Sequence, residues 1–302
     1  MDKIKALEAF VAVVDTGGFT RAAELLNAPK ATMSTLVQEL ETQLGVRLLH
    51  RTTRKVTVTA DGAAYYERCR RILDDLREAD ESVSPRQGLP SGRLRVDVPT
   101  SMASFLMFTG MSDFLKTYPD ISLEMGCSDR VVNMVTEGVD CVIRVGDVSD
   151  PTLVARRIGS MQFKTCAARS YVDAHGAPTH PDELRNHRWV NYFMPGRVAA
   201  TWDFAKDGQR IELQPQGGLS VNDSNVYEDA VLAGLGIGQL PSFTFECACR
   251  AGELVAVLAD WTTDPLPVHV LFPSNRHLST KVQAFVEWMA EFFEKTPGLR
   301  RV

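Results

Sequence analysis

The 302-residue chain is 44% hydrophobic and 24% charged, a balance that fills ordinary cores and excludes wholesale disorder. Its length suits about two domains of ~100–200 residues each. A formal net charge of −5 argues against a surface coated in basic charge, but residues 1–71 hold 11 Lys/Arg against 8 Asp/Glu while 91–302 hold 20 against 25. Such asymmetry points to a nucleic-acid or membrane contact at the basic end, with a solvated basic face as the bland alternative. No run approaches the ~18 apolar residues needed to cross a bilayer. The start of the chain leads into an amphipathic pattern rather than a signal peptide, so a cytoplasmic protein with no membrane partner is expected. Six cysteines scattered through a large chain read as reduced thiols. The one tight pair, Cys247 and Cys249, lacks the nearby His or second pair that zinc needs, and neither a metal nor a cofactor is expected.

Ile4, Leu7, Phe10 and Val14 make one apolar helical stripe that Gly17-Gly18 stops. Thr20 is placed as the N-cap of a short helix over 21–26, Asn27-Ala28-Pro29 as a turn, and Met33, Val37, Leu40 and Leu44 as the buried stripe of a third helix. That order is a helix-turn-helix pattern. The opposite face of the third helix carries Lys30, Thr32, Ser34, Thr35 and Gln38, short polar side chains that suit base edges and phosphates. From 46 to 59 a β-type alternation surrounds a basic, Thr-rich turn with no acid, which reads as a wing placing Arg51, Arg54 and Lys55 against a nucleic-acid backbone.

The run Phe19-Thr20-Arg21-Ala22-Ala23-Glu24-Leu25-Leu26-Asn27, then Ser34, Leu40-Glu41, Leu44-Gly45-Val46-Arg47-Leu48-Leu49-His50-Arg51 and Val58-Thr59-Ala60-Asp61-Gly62 resembles the LysR-type transcriptional regulators. There are departures: Pro29-Lys30-Ala31 stands where the family often has Ser-Gln-Pro or Ser-Gln-Ser, Thr35 follows Ser34 where Arg or Lys is common, and Leu49 replaces the usual Phe. These bear on which DNA sequence is read. Beyond Gly62, Tyr65, Cys69, Ile72, Leu76, Ala79 and Val83 step by four and three, the spacing of a paired helix. In the family this linker helix dimerises, placing two recognition helices about one DNA turn, ~34–36 Å, apart or at multiples of it.

Residues 84–92 break every period and read as a hinge. A strand over 93–98, a helix to about 118, a strand over 121–127, a helix over 131–137 and a strand over 139–145 follow. The pattern restarts near Leu153 and runs through strands at 218–222 and 237–240 flanking a helix at 224–233. A strand at 267–272 and a helix at 280–294 close the chain. This alternation predicts a parallel α/β sheet. Glu137-Gly138-Val139-Asp140-Cys141-Val142-Ile143-Arg144 and 233–241 resemble the same family's effector-binding region.

The fold class expected is therefore α/β with an N-terminal all-α winged helix-turn-helix (1–59), a dimerising linker helix (60–84) and a hinge (85–91). A C-terminal effector-binding domain, two α/β subdomains like those of periplasmic binding proteins, follows over 92–302. Subdomain I takes 92–162 and 266–302, and subdomain II takes 163–265. The resemblance implies double-stranded operator DNA, a small-molecule effector such as a small organic acid, a homodimer through the linker helix, a homotetramer and RNA polymerase as partners. An effector would lie between the subdomains at strand ends and helix starts. By position the lining candidates are Thr100, Ser101, Ser128, Asp129, Gly146, Asp147, Asn222 and Asp223, with Trp202 and Phe204 as an apolar wall. Thr100 and Ser101 suit a carboxylate, whereas Asp129 and Asp223 would repel one; Arg144 could receive a carboxylate, but a structural ion pair is the preferred reading.

Two rival functions carry less. An enzyme is disfavoured because Gly234, Gly236 and Gly238 follow a helix and precede a strand, the reverse of a dinucleotide fingerprint, and His175, His180 and His187 are irregularly spaced. A binding protein whose first domain mediates protein contacts would not need a basic, acid-free wing.

Overall fold

Asp2 starts α1 (Lys3–Thr16) by accepting the Lys5 N–H, and Gly17 ends it at φ 70°, a left-handed backbone that glycine adopts without a Cβ penalty. The computed structural model describes residues 2–51, 56–83, 90–148, 150–195, 201–274 and 278–301. These fall into two units, 1–88 and 89–302.

In the first unit α2 (Phe19–Leu25) begins at Gly18, so Thr20 lies inside the helix and is not its cap. The double glycine lets the chain turn into helix two residues sooner than the Thr signal suggests. α3 (Lys30–Leu44) ends at Gly45, φ 71°. β1 (Leu49–Arg51) and β2 (Val56–Val58) pair antiparallel, with Leu49 opposite Val58. The turn between them, with Arg54 and Lys55, and the Arg51 side chain lie outside the described residues. Phe10 and Val13 of α1, Ala22 of α2, Met33, Val37 and Leu40 of α3, and Leu48 and Leu49 share one core. Each large side chain so buried contributes about 1.5–3 kcal/mol.

The long helix α4 (Ala60–Val83) divides the predicted seam in two. Cys69 and Leu73 are buried in the first unit's core, with Tyr65 packed against it. Ile72 and Leu76 are 53% and 37% exposed. The early part of the spacing therefore serves the domain's own core, while Ile72, Leu76 and Ala79 face outward; the Val83 side chain lies outside the described residues.

The second unit has two cores. The first surrounds a five-stranded sheet ordered β4 (Ile121–Cys127), β3 (Gly92–Val98), β5 (Cys141–Val145), β14 (Leu266–Pro273) and β6 (Leu153–Met161). It carries α5 (Thr100–Thr109), α6 (Met111–Thr117), the single turn α7 (Met134–Glu137) and α11 (Thr280–Lys295). β3 is parallel to β4 and β5, but β14 is antiparallel to β5 and β6, so the sheet is mixed rather than parallel. The chain leaves this core after Met161, builds the second core, and re-enters at Leu266 running against its neighbours β5 and β6. The predicted single helix to 118 is broken at Gly110, where a Cβ would come within 2.7 Å of the Phe292 ring. Phe114, Phe285, Phe293 and Leu106 are fully buried here.

The second core holds β7 (Phe163–Ala168) between β12 (Gly238–Pro241) and β13 (Leu254–Ala256), both antiparallel to it. β8 (Val190–Tyr192) and β11 (Leu219–Val221) pair in parallel, and β9 (Trp202–Lys206) with β10 (Gln209–Leu213) forms a hairpin. α8 (Arg169–His175), α9 (Ser224–Leu232) and α10 (Ser242–Arg250) cover the strands. Trp202 and Phe204 are 4% and 0% exposed, and Trp202 packs against Trp189 with ring centroids 4.6 Å apart. They fill this core and do not form an open wall. In the β9–β10 register both fall on the inward side of the strand, a period-two consequence that position alone could not supply.

Candidate nucleic-acid interface and ligand cleft

On α3 the buried positions Met33, Val37 and Leu40 leave Lys30, Thr32, Thr35 and Gln38 exposed and Ser34 half-buried. Pro29 occupies the cap, and no side chain caps this helix start. Unsatisfied N–H groups and the positive end of the helix dipole therefore stand beside hydroxyl and amide side chains, an arrangement suited to phosphate and base edges.

A residue that the sequence offered only as part of the family motif holds this helix to the strand pair. Glu41, in the last turn of α3, accepts the Leu48 and Leu49 N–H groups through one oxygen, Oε1, at 2.9 and 3.0 Å. Both amides lie at the entry to β1, so the carboxylate fixes where the hairpin departs. From the other end Thr59 Oγ1 donates to the Arg47 carbonyl at 2.8 Å and accepts the Gly62 N–H at 2.9 Å. Gly62 is obligatory at this crossing, because a Cβ there would stand 2.0 Å from the Leu48 carbonyl oxygen. Tyr66 of α4 donates to Asp15 of α1, and Arg70 donates to the Tyr66 hydroxyl at 2.9 Å. Burial and the Asp15 carboxylate push the Tyr66 hydroxyl above the usual tyrosine range. The signal for Glu41 was present as an acid beside the apolar stripe of α3, but its partners are backbone amides that carry no side-chain signature.

In the second unit the strand ends of the first core meet the start of α9. Arg144 on β5 pairs with Asp97 on β3 at 2.6 Å, with side chains 15% and 8% exposed. It also donates to the carbonyls of Ile143 and Arg130. Ser128 Oγ donates to Asp97 at 3.1 Å, and Gly126 leaves room for that carboxylate, since a Cβ would stand 2.7 Å from Asp97 Oδ2. Arg144 is thus the structural ion pair expected.

Beside it Asp129 accepts the Thr100 N–H through Oδ1 at 3.0 Å and the Ser224 N–H through Oδ2 at 2.5 Å. Ser101 N–H donates to Ser224 Oγ at 2.9 Å, and Thr100 Oγ1 donates to Asp223 at 3.3 Å. Asp223 also caps α9 through the Asn225 and Val226 amides. The Tyr192 hydroxyl is held well above its ordinary range by burial and by the Asp129 carboxylate. Thr100, Ser101, Ser128, Asp129 and Asp223 therefore gather at one corner, joined by Ser224, Tyr192 and Arg144. For the other candidates no hydrogen bond to this corner is seen among the described residues: the Gly146 N–H is taken by the Pro267 carbonyl, and Asp147 and Asn222 are exposed. Ser224 escaped the sequence reading because its partners lie 95 and 123 residues away.

Comparison with known proteins matches residues 4–63 to the bacterial regulatory helix-turn-helix protein, lysR family, and residues 87–294 to the LysR substrate binding domain. The chain is 37% identical over 301 residues to an HTH-type transcriptional repressor of Pseudomonas aeruginosa, covering 99% of this chain and 95% of that protein. It is 32% identical to the HTH-type transcriptional activator AaeR of Escherichia coli, covering 97% and 94%. Among solved structures, CrgA, a LysR-type transcriptional regulator from Neisseria meningitidis, superposes with TM-score 0.59 at 30% identity over 95% of this chain and 98% of its own.

Proposed function

The chain belongs to the LysR family of transcriptional regulators, with a helix-turn-helix DNA-binding domain ahead of an effector-binding domain, and from that premise we propose which residues carry each task. α3 reads the major groove, with Ser34, Thr35 and Gln38 toward base edges and Lys30 and Thr32 at the uncapped helix start toward phosphate. Thr20, exposed near the start of α2, contacts the backbone of the duplex. Arg51, Arg54 and Lys55 neutralise phosphates from the wing. The observation that supports this reading best is the polar, uncapped face of α3, clamped to the strand pair by Glu41.

Two protomers pair through the outward part of α4 around Ile72, Leu76 and Ala79, and pairs of dimers form a tetramer. The effector binds at the corner of Thr100, Ser101, Ser128, Asp129 and Asp223, and changes how the DNA-binding pairs are disposed. It must bind the two arrangements with different affinity, or nothing shifts. No helix of the described residues is long and apolar enough to cross a membrane, and in this reading the protein works beside DNA in the cytoplasm.

A gel-shift assay with DNA upstream of the protein's own coding sequence tests the DNA roles. Arg51→Ala and Arg54→Ala should weaken binding to every sequence and flatten the salt dependence by roughly one log unit for each phosphate that is no longer neutralised. Substitution of Ser34, Thr35 or Gln38 should change preference between sites instead. If the parent forms no salt-sensitive, sequence-preferring complex at all, the reading is wrong.

A further inference from the structure

Two helix starts meet at the corner where the effector is proposed to bind, and the N-terminus of a helix ordinarily welcomes an anion. Here that welcome is already taken. α5 packs in the first core of the second unit through Met102 and Leu106, and α9 packs in the second through Tyr227 and Val231. The Asp129 carboxylate lies between them, with one oxygen on the Thr100 amide at 3.0 Å and the other on the Ser224 amide at 2.5 Å. The same joint is tied by Ser101 to Ser224, by Thr100 to Asp223, and by Asn225 Nδ2 donating to Ser104 Oγ at 3.2 Å.

Among the described residues the charge around the joint is mainly acidic. Asp223 lies within hydrogen-bond reach of the same threonine, so two carboxylates face this corner. Arg144, the cation among the described residues of this corner, is committed to Asp97 at 2.6 Å and to two backbone carbonyls. An entering carboxylate would meet repulsion from both acids and find the amides occupied. It would also compete with a tethered group, whose effective concentration reaches the millimolar range or more without the entropy cost of binding.

Taking the cleft as the effector site, we infer that Asp129 determines the charge class of the effector: it is a built-in carboxylate filling the anion position between two helix starts. The cleft therefore admits a neutral or amine-bearing molecule and turns small organic acids away. The organic acid that the family resemblance suggested fits the helix starts in the absence of this side chain, not in its presence.

The test uses the full chain as parent, Asp129→Ala and Asp129→Asn, with sodium benzoate as the probe and benzamide as its neutral counterpart. Millimolar benzoate should leave the parent's melting temperature unchanged. Asp129→Ala should melt about 4 °C below the parent and regain most of that loss in benzoate, but not in benzamide or in sodium chloride of equal ionic strength. Asp129→Asn keeps an acceptor for one helix start and so guards against a folding failure; by calorimetric titration it should bind benzoate at least about tenfold more tightly than the parent does. The inference is overturned if the parent binds benzoate as tightly as the variants, or if neither variant gains binding. Failure of the effector reading has a separate sign: no acid, amide or amine changes operator binding by the parent, while benzoate still rescues Asp129→Ala.

Discussion

Replacing Glu41 by alanine removes the acceptor shared by the Leu48 and Leu49 amides while leaving the apolar packing of α3 in place. Two charge-assisted hydrogen bonds at 2.9 and 3.0 Å are each worth about 1.5–3 kcal/mol when partly buried. Water can replace part of this at a half-exposed carboxylate, so a net loss of about 2–3 kcal/mol is expected. In a unit of this size each kcal/mol moves the melting temperature by about 4–8 °C, so the transition of the first unit should fall by roughly 10–20 °C in differential scanning calorimetry of the full chain. Operator affinity should fall about tenfold or more, because the hairpin's departure from α3 is no longer fixed. Glu41→Gln keeps a neutral oxygen acceptor and should lose about half as much. The reasoning fails if Glu41→Ala keeps both the calorimetric transition and the operator affinity of the parent. It also fails if Glu41→Gln is as damaged as Glu41→Ala, because charge rather than hydrogen bonding would then be responsible.

Arg144→Ala leaves Asp97, 8% exposed, as an unpaired buried charge, so urea denaturation should show the second unit losing about 3–5 kcal/mol. The double variant Asp97→Asn with Arg144→Met should recover much of that, and strictly additive losses would contradict the pairing. Arg93, hydrogen-bonded to Glu124, holds that carboxyl below its ordinary value of 4.5, although burial opposes the shift. Its contribution is therefore fully present above the unfolded glutamate's pKa and is lost as pH falls through the lower folded value. Arg93→Met should accordingly be less stable than the parent near neutrality and converge with it in acid, whereas a gap constant with pH would exclude this cause. Cys127, Cys247 and Cys249 are exposed while Cys69, Cys141 and Cys166 are buried, with burial pushing Cys69 up to about 11 and Cys166 up to about 12. A thiol-reactive disulfide should thus label three cysteines in the native protein and all six in urea, and faster labelling of a fourth would show that one of the burials is misplaced.

Legibility in the sequence followed the range of the interaction. The stripe Leu7, Phe10 and the stripe Met33, Val37, Leu40 are local periodicities, and both are core in the fold. The strand over 121–127 and the closing helix from Thr280 were similarly plain, because each has its own period and its own stops. Thr20 misled because Gly18 competes for the same cap and wins two residues earlier. In α4 the heptad-like steps ran together two destinations, Cys69 in the domain's core and Ile72 and Leu76 outside it. Nothing in the spacing marks where one ends.

The family, the helix-turn-helix, the strand–helix alternation over 93–145 and the polar face of α3 could all be read along the chain, since periodicity, caps and short motifs are properties of neighbouring residues. Three-dimensional packing was needed for the direction of β14, the inward turn of Trp202 and Phe204, the grip of Glu41 on the Leu48 and Leu49 amides, and the seat of Asp129 between Thr100 and Ser224. These depend on which distant strand supplies the register and which distant amide meets a carboxylate. Asp129 and Ser224 are 95 residues apart in the chain and 2.5 Å apart in the fold. The sequence placed an acid near an anion-loving helix start and read it as a source of repulsion; the structure makes that acid the occupant.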